Sequence, residues 1–220
     1  MENQRVDRGF IGARTAVLAL PGGGRIRIRP IVPEDRELIR WGFEHLSDES
    51  RYRRFMGLKR LSEHDIDYLT NIDYSDHFAW VAFAHDEPHE PGVGVARYVR
   101  DKSNPEEAEA AVAVLDDYHN RGIGTLMLEA LAAVALENGI RRFIGYVLVE
   151  NTPMKDLLHT LGARLATDSP GVERMTLELP EQLDELKGTP LYRVLRAVAR
   201  GEAPPPSGPV PPRTAADDAR

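Results

Sequence analysis

The chain has 220 residues and a formal net charge of −7, with 42% hydrophobic and 29% charged residues, a composition typical of a single globular domain. No run approaches the roughly 18 apolar residues that a membrane span requires. The acidic charge argues against a general nucleic-acid binder, which must neutralise phosphates. The absence of cysteine excludes disulfides, thiolate metal sites and a cysteine nucleophile. No signal-like apolar segment is found near the first residues, so we expect a cytoplasmic location.

The first half of the chain alternates strand and helix signals. Strand signals, which are β-branched or aromatic runs bounded by glycine or proline, occupy three segments: 22–31, 77–85 and 92–100. Helical segments are predicted at three places: 33–46, 47–57 and 62–73, the last with Ser62 as N-cap. The loop "DEPHEPG" between the second and third strands predicts an antiparallel hairpin.

The second half continues with further strands at 108–116, 141–149 and 172–180, and with helices at 122–139 and 152–162. We therefore predict an α/β (α+β) domain with six or seven strands and four or five helices. Its expected organisation comprises four parts: an N-terminal extension (1–24), the main domain (25–180), an amphipathic helix packed on it (181–200) and a disordered tail with six prolines (201–220).

The stretch "DDYHNRGIGT" lies where a predicted strand ends and a long helix begins. A helix N-terminus exposes unpaired N–H groups and a partial positive charge, so it attracts anions. Gly122 and Gly124 lack the Cβ atoms that would keep a phosphate away. Arg121 adds a cation, and Asn120 tolerates the positive φ that such a turn often needs. These residues predict a pyrophosphate cradle, although a tight turn without a ligand explains the glycines equally well.

The sequence "VAVLDDYHNRGIGT" resembles motif A of the GCN5-related N-acetyltransferases (GNAT superfamily), whose pattern is Gln/Arg-x-x-Gly-x-Gly/Ala after a strand. His119, Gly122 and Gly124 stand at the three specified positions, and His119 departs from the usual Gln or Arg. "VLVENTPMKDLLHTLGA" resembles the strand, Asn, helix and turn that follow in the family. The likeness covers roughly residues 25–180. "SRYRRFMG" and "AEAAVAV" are more narrowly similar to the catalytic domain of bacterial Pat-type protein lysine acetyltransferases.

The resemblance implies the GNAT fold, a mixed and mostly antiparallel sheet whose fourth and fifth strands splay to form a cleft. It implies acetyl-CoA as co-substrate and no metal. The pantetheine is implied to pair with the splayed strand, where the N–H of Val112 polarises the thioester carbonyl and stabilises an oxyanion. The residues implied to bind the cofactor are Val112, Ala113, Val114, His119, Asn120, Arg121, Gly122, Ile123, Gly124, Thr125 and Asn151.

The chemistry needs a base, because a lysine-type amine is almost wholly protonated at neutral pH. In the Pat-like pattern a glutamate near the start of the splayed strand takes the proton. The resemblance assigns this role to Glu109, with Glu106 and Glu107 as neighbouring alternatives. The family's frequent general acid, a tyrosine seven residues after the strand-end Asn151, is replaced here by Leu158.

The acceptor side is implied to be walled by residues 46–76, with four possible lining side chains: Tyr52, Arg53, Arg54 and Phe55. Three functions stay open. The first is acetyl-CoA-dependent N-acetylation of lysine ε-amines in proteins by direct attack. The second is acyl transfer to a small-molecule amine or amino acid. The third is a non-catalytic acyl-CoA-binding regulatory module, which the missing tyrosine favours. No nucleic-acid or membrane partner is expected.

Overall fold

The computed structural model describes residues 8–55, 60–179 and 198–201, in which one eight-stranded sheet has helices on both faces. The strands are β1 (Ala16–Ala19), β2 (Arg25–Pro30), β3 (His77–Ala84), β4 (Gly92–Arg100), β5 (Glu107–Val114), β6 (Arg142–Leu148), β7 (Arg164–Ser169) and β8 (Val172–Glu178). The α-helices are α1 (Arg8–Ala13), α2 (Arg36–His45), α3 (Asp48–Phe55), α4 (Glu63–Thr70), α5 (Ile123–Glu137) and α6 (Thr152–Thr160). Two 3-10 turns lie at Pro33–Asp35 and Asp116–Tyr118.

The strand order across the sheet is β1-β2-β3-β4-β5-β6-β8-β7. Every neighbouring pair is antiparallel except β5 and β6, which run parallel. The predicted mixed, mostly antiparallel sheet is therefore confirmed. Ser62 is confirmed as the N-cap of α4, where its Oγ accepts a hydrogen bond from the Asp65 N–H at 3.2 Å.

The strand count of six or seven was too low by one or two, because two short edge elements were missed. β1 lies within the expected N-terminal extension and pairs with β2 over only four residues. β7 is mostly exposed, so its sequence lacks the apolar alternation that marks a strand, and its pairing with β8 defines it. The six described α-helices also exceed the expected four or five. Of the predicted C-terminal helix only 198–200 are described, and they are helical; the tail after residue 201 lies outside the described residues.

Two apolar layers hold the helices on the sheet. On one face α5 is buried along most of its length and packs across β3, β4 and β5. On the other face the helices α2 and α4 cover a smaller cluster that includes Ile39, Ala79 and Val81. No helix in the described part is both long and apolar enough to cross a lipid bilayer. The ends of β5 and α5 are thereby fixed next to each other, and this is where the site lies.

Candidate active site

β5 and β6 are paired at one end only. Their parallel pairing covers Glu107–Glu109 with Arg142–Ile144, whereas β5 pairs with β4 as far as Val114 and β6 pairs with β8 as far as Leu148. Beyond Glu109, the edge of β5 that faces β6 therefore has no strand partner. β5 and β6 are the fourth and fifth of the predicted strands, because β1 was not predicted. The expected splay between these two strands is therefore confirmed.

The backbone groups of β5 that face the opening follow from the pairing with β4. The Leu115 N–H donates to the Val93 carbonyl oxygen at 2.9 Å, on the β4 side. Because successive residues of a strand direct their backbone groups to opposite sides, Val112 and Val114 direct theirs toward the opening. On the far side Gly145 of β6 approaches closely, since a Cβ there would lie 3.1 Å from the Ala110 oxygen. Val112 thus presents an N–H donor to the opening.

A cleft of about 820 Å³ occupies this opening and continues along the N-terminus of α5. Ten of the eleven residues predicted to bind the cofactor line it: Val112, Ala113, Val114, His119, Asn120, Gly122, Ile123, Gly124, Thr125 and Asn151. The exception among the described residues is Arg121. Its guanidinium lies 4.7 Å from the ring centre of Tyr118 and donates to the Asp117 oxygen at 2.8 Å. The expected cation is thus held against the preceding 3-10 turn instead of in the cleft.

The turn into α5 has the backbone conformation that the glycine pattern predicts. Asn120 has a φ of 59° and Gly122 a φ of 80°, both in the left-handed region. Gly122 is the N-cap of α5 and no side chain caps this end, so N–H groups of the first turn stay available to a ligand. Gly124 has a second, structural role, because a Cβ there would lie 3.2 Å from Leu157 Cδ1 on α6.

Two polar side chains that line the cleft have hydrogen bonds of their own. The His119 Nε2 donates to the Val114 oxygen at 2.9 Å, so the imidazole bridges the turn and the open edge of β5. Asn151 is buried and accepts a hydrogen bond from the Met154 N–H at 3.3 Å. It is therefore the N-cap of α6.

Glu109 lies on the opposite side of β5 from the α5 core. Side chains of β5 alternate: Ala108, Ala110 and Val112 are buried in the core with α5. Glu109 is exposed and lines the cleft together with Arg54 and Phe55 of α3. The carboxylate of the alternative candidate, Glu107, accepts a hydrogen bond from Arg142 Nη1 at 3.1 Å. Glu109 is thus the one of the three candidate glutamates that lines the cleft among the described residues.

The α3 wall of the cleft is attached to the chain beyond β5. Asp116 accepts hydrogen bonds from the Ser47 N–H at 2.9 Å, the Ser47 Oγ at 2.8 Å and the Ser50 Oγ at 2.7 Å. Of the four residues expected on this wall, three line the cleft: Arg53, Arg54 and Phe55. Tyr52 is 42% exposed and does not line it.

A second cavity of about 100 Å³ adjoins the cleft, between the helices α2 and α3 and the strands β4 and β5. Its described polar side chains are Arg54 and Arg97, and all its other described lining residues are Leu, Ile, Phe, Val, Ala or Gly. We call it the arginine cavity. Arg97, in the middle of β4, was not singled out in the sequence, since one arginine in an apolar strand carries no signal of its surroundings.

The charges in the arginine cavity perturb one another. Burial lowers the pKa of Arg54, and the negative charge of Glu109 opposes this effect. Burial, with the neighbouring charge of Arg54, lowers the pKa of Arg97 to about 9. Burial and the charge of Arg97 also lower the pKa of His77 to about 4. His77 is therefore neutral near pH 7, and its Nε2 accepts a hydrogen bond from Arg97 Nη1 at 2.9 Å.

No group of three or more His, Asp or Glu side chains with the arrangement of a metal site occurs within residues 8–55, 60–179 and 198–201. The site instead offers backbone donors at a strand edge, a helix N-terminus suited to an anion and a carboxylate. These are the elements of acyl transfer from a phosphate-bearing donor to an amine.

A family profile described as an acetyltransferase (GNAT) domain matches residues 25–164. The chain belongs to the GNAT acetyltransferases. It is 34% identical over 183 residues to the acetyltransferase Pat of Mycolicibacterium smegmatis, and the match covers 79% of this chain and 54% of that protein. It is 35% identical over 147 residues to the acetyltransferase PA5475 of Pseudomonas aeruginosa, covering 66% of this chain and 78% of that protein.

Solved GNAT structures agree with this assignment. The GNAT domain of S. lividans PAT superimposes with a TM-score of 0.70 at 33% identity, covering 76% of this chain and 97% of that one. A cAMP-binding acyltransferase from Mycobacterium smegmatis superimposes with a TM-score of 0.62 at 30% identity, covering 90% of this chain and 58% of that one. The chain thus spans a little over half the length of these mycobacterial relatives.

This GNAT site departs from the family pattern at the position of the general acid. Leu158 is buried and lines the cleft, so no phenol is available from that helix position. A tyrosine does line the cleft from another element: Tyr146 on β6 is 45% exposed. Its side chain lies on the same face as Glu109, because Glu109 pairs with Ile144, two residues before it. The sequence gave no signal for Tyr146 beyond its place in an apolar strand.

Proposed function

We propose that this GNAT enzyme transfers the acetyl group of acetyl-CoA to the ε-amine of lysine in proteins by direct attack, with Glu109 as the general base. The observation that carries the proposal is the position of Glu109, which lines one continuous cleft with the open edge of β5 and the turn before α5. The resemblance of the sequence to Pat-type protein lysine acetyltransferases supports a protein acceptor, and the match to the acetyltransferase Pat covers 79% of the chain. The proposal includes the cytoplasmic location expected from the sequence.

The donor is held by backbone groups in this proposal. The diphosphate of acetyl-CoA lies at the N-terminus of α5, where N–H groups and the helix dipole favour negative charge. The pantetheine arm pairs with the edge of β5 at Val112 and Val114, as an added strand pairs with a sheet edge. Such pairing explains why the edge of β5 has no strand partner after Glu109.

The acceptor amine approaches from the α3 side, where Glu109 lines the cleft. The carboxylate takes a proton from the ammonium, directly or through one water, because only the neutral amine carries a free electron pair. The nitrogen then forms a bond to the thioester carbon, and the Val112 N–H stabilises the resulting oxyanion. The attacking nitrogen releases its second proton to solvent, and the tetrahedral intermediate collapses to the amide with cleavage of the C–S bond. Glu109 returns the first proton to solvent. The CoA thiolate leaves and takes a proton from water, since Leu158 offers none.

The test is acetyl transfer in a cell lysate supplied with the protein and isotopically labelled acetyl-CoA, followed by mass spectrometry. We expect label on lysine side chains of a limited set of proteins, and we expect the Glu109→Gln variant to lose most of it. Label confined to small metabolites would show an acyltransferase for free amines. No label at all, together with measurable binding of acetyl-CoA, would show a non-catalytic binding protein. Either result contradicts the proposal.

A further inference from the structure

The arginine cavity is lined by two arginines, Arg54 and Arg97, and by no carboxylate among the described residues. Arg97 is 7% exposed, and its hydrogen-bond partners among the described residues are neutral: Nη1 donates to the imidazole of His77 at 2.9 Å and Nη2 to the Leu69 oxygen at 3.2 Å. These bonds use two of the five N–H groups of a guanidinium. No Asp or Glu occurs among the described residues that line the cavity, and its remaining surface is apolar.

Arg29 is a largely buried arginine with a structural role, and it offers a comparison because its charge is paired with a carboxylate. Two of its guanidinium nitrogens donate to the two carboxylate oxygens of Asp35, at 2.7 and 2.6 Å. Among the described residues Arg54 and Arg97 have no such partner, although Glu109 acts on Arg54 through its charge. A buried cation without a paired anion is costly, and an anionic ligand in the cavity would offset that cost.

The cavity lies at the acceptor side of the proposed reaction centre. Arg97 is opposite Ala111 in the pairing of β4 with β5, on the same face of the sheet as Glu109 and two residues along β5 from it. This spacing corresponds to roughly 7 Å along the strand. Arg54 lines both the cleft and the arginine cavity, so its side chain contacts both spaces.

We infer that the arginine cavity binds a carboxylate of the acceptor, carried close to the amine that is acetylated. This inference rests on the proposed function for its assignment of the acceptor side. A guanidinium presents a planar pair of donors that matches the two oxygens of a carboxylate, and apolar walls strengthen that pairing. The carboxylate is that of an Asp or Glu side chain adjacent to the target lysine. It also offsets the repulsion between the two arginines and an incoming ammonium.

The test uses single-lysine peptides in matched pairs. In each pair one position within two residues of the lysine is Glu in one peptide and Gln in the other. We expect at least one Glu peptide to have a kcat/KM roughly tenfold or more above its Gln partner, the size expected for a charge-assisted pair. Arg97→Gln and Arg54→Gln are each expected to bring that ratio close to one.

The control variant is Arg40→Gln. Arg40 forms ion pairs with Glu37 and Glu63 and lines neither cavity, so its loss should leave the Glu-to-Gln ratio unchanged. Calorimetry with acetyl-CoA reports whether each variant is folded. If Arg97→Gln does not fold, Arg54→Gln decides the test, because Arg54 lies at the half-buried end of α3.

Two further arms identify the source of the carboxylate. In the first arm, the Gln peptides are tested with succinyl-CoA and with acetyl-CoA. If the enzyme prefers succinyl-CoA and the arginine variants lose that preference, the carboxylate is on the donor and the inference is overturned.

If no peptide is acetylated, the proposed function fails, and free lysine is compared with lysine amide. A preference for free lysine that the arginine variants abolish then supports the carboxylate site by itself. Equal rates within every acceptor pair overturn the inference.

Discussion

Glu109 on β5 and Arg54 on α3 line the same cleft, and the negative charge of the glutamate raises the pKa of the arginine that burial lowers. Opposite charges attract, so the guanidinium of Arg54 and the carboxylate of Glu109 favour an arrangement in which both face the cleft. A general base must be ionised before it can accept a proton. The pair therefore links the α3 wall to the chemistry that we propose for β5.

Replacement of the base gives the first prediction. Glu109→Gln should lower kcat for a lysine acceptor by about 100-fold or more near pH 7, in line with the usual contribution of a positioned base. The deficit should shrink toward pH 10, where a lysine amine with a pKa of about 10.4 is increasingly neutral without help. The measurement is kcat against pH for the variant and the wild type.

The control for this experiment is Glu107→Gln, since Glu107 is on the same strand but its carboxylate bonds Arg142. That variant should keep wild-type kcat, and both variants should bind acetyl-CoA normally by calorimetry. A Glu109→Gln deficit of equal size at every pH would contradict the role of base.

The second prediction separates backbone strain from ligand binding at the start of α5. Gly122 and Gly139 have φ values of 80° and 79°, so an alanine at either position costs on the order of 1 kcal/mol of stability. Gly122 lines the cleft, whereas Gly139 follows the other end of α5. Gly122→Ala should therefore weaken acetyl-CoA binding about tenfold, and Gly139→Ala should leave it unchanged.

Urea denaturation measures the stability of both glycine variants, and titration calorimetry measures their affinity for acetyl-CoA. Equal affinities in the two variants, at similar losses of stability, would show that the turn has only a structural role.

The third prediction concerns the histidine at the position where the family has Gln or Arg. His119→Ala should raise the Kd for acetyl-CoA about tenfold, which corresponds to the loss of one hydrogen bond to a charged group. His119→Arg should restore most of the affinity, because a guanidinium also donates to phosphate. His159→Ala, on the exposed side of α6, is the control. An arginine variant as weak as the alanine variant would argue that His119 serves only its contact with Val114.

The fourth prediction is a pH dependence of stability that arises from His77, which is 8% exposed. Its pKa is about 4 in the folded protein, against about 6.5 in an unfolded chain. Between these values the unfolded chain binds a proton that the folded protein does not. The free energy of unfolding should therefore fall as the pH falls from about 6.5 to 4, by at most about 3 kcal/mol from this group.

Urea denaturation from pH 7 to 4 measures this slope. His77→Gln keeps an acceptor for Arg97 and removes the titration, so its slope should be shallower than that of the wild type. Asp73 also titrates differently in the folded protein: burial raises its pKa, and hydrogen bonds from three backbone N–H groups and the charge of His77 lower it, with a net decrease. Only the backbone part of this contribution is common to both proteins. Identical slopes would show that His77 titrates normally.

The parts of this site that the sequence predicts are those encoded within a few residues of one another. The turn at Asn120 and Gly122 needs a positive φ at both residues. Asn and Gly are residue types that tolerate a positive φ, so the turn can be predicted from these two residues alone. The hairpin of β3 and β4 is likewise marked by its own loop. The divergence of β5 from β6 and the role expected of Glu109 came from resemblance to a family, because no local pattern specifies which strand edge is left unpaired.

What the sequence did not predict depends on contacts between distant segments. Arg97 and Arg54 are 43 positions apart and meet only because α3 packs on the face of β4 and β5. Tyr146 lines the cleft because β6 diverges, and its own strand gives no sign of this. Arg121, expected to add a cation to the turn, has its guanidinium over the ring of Tyr118 and donates to the Asp117 oxygen, partners that the motif does not reveal.

The short contact between β5 and β6 divides the sheet into two parts, β1 to β5 and β6 to β8, which share backbone hydrogen bonds at one end only. Past Glu109 no ladder hydrogen bond joins the two parts. In the proposed reaction this open end is where a long, flexible donor enters, because its arm can pair with β5 there without displacing another strand.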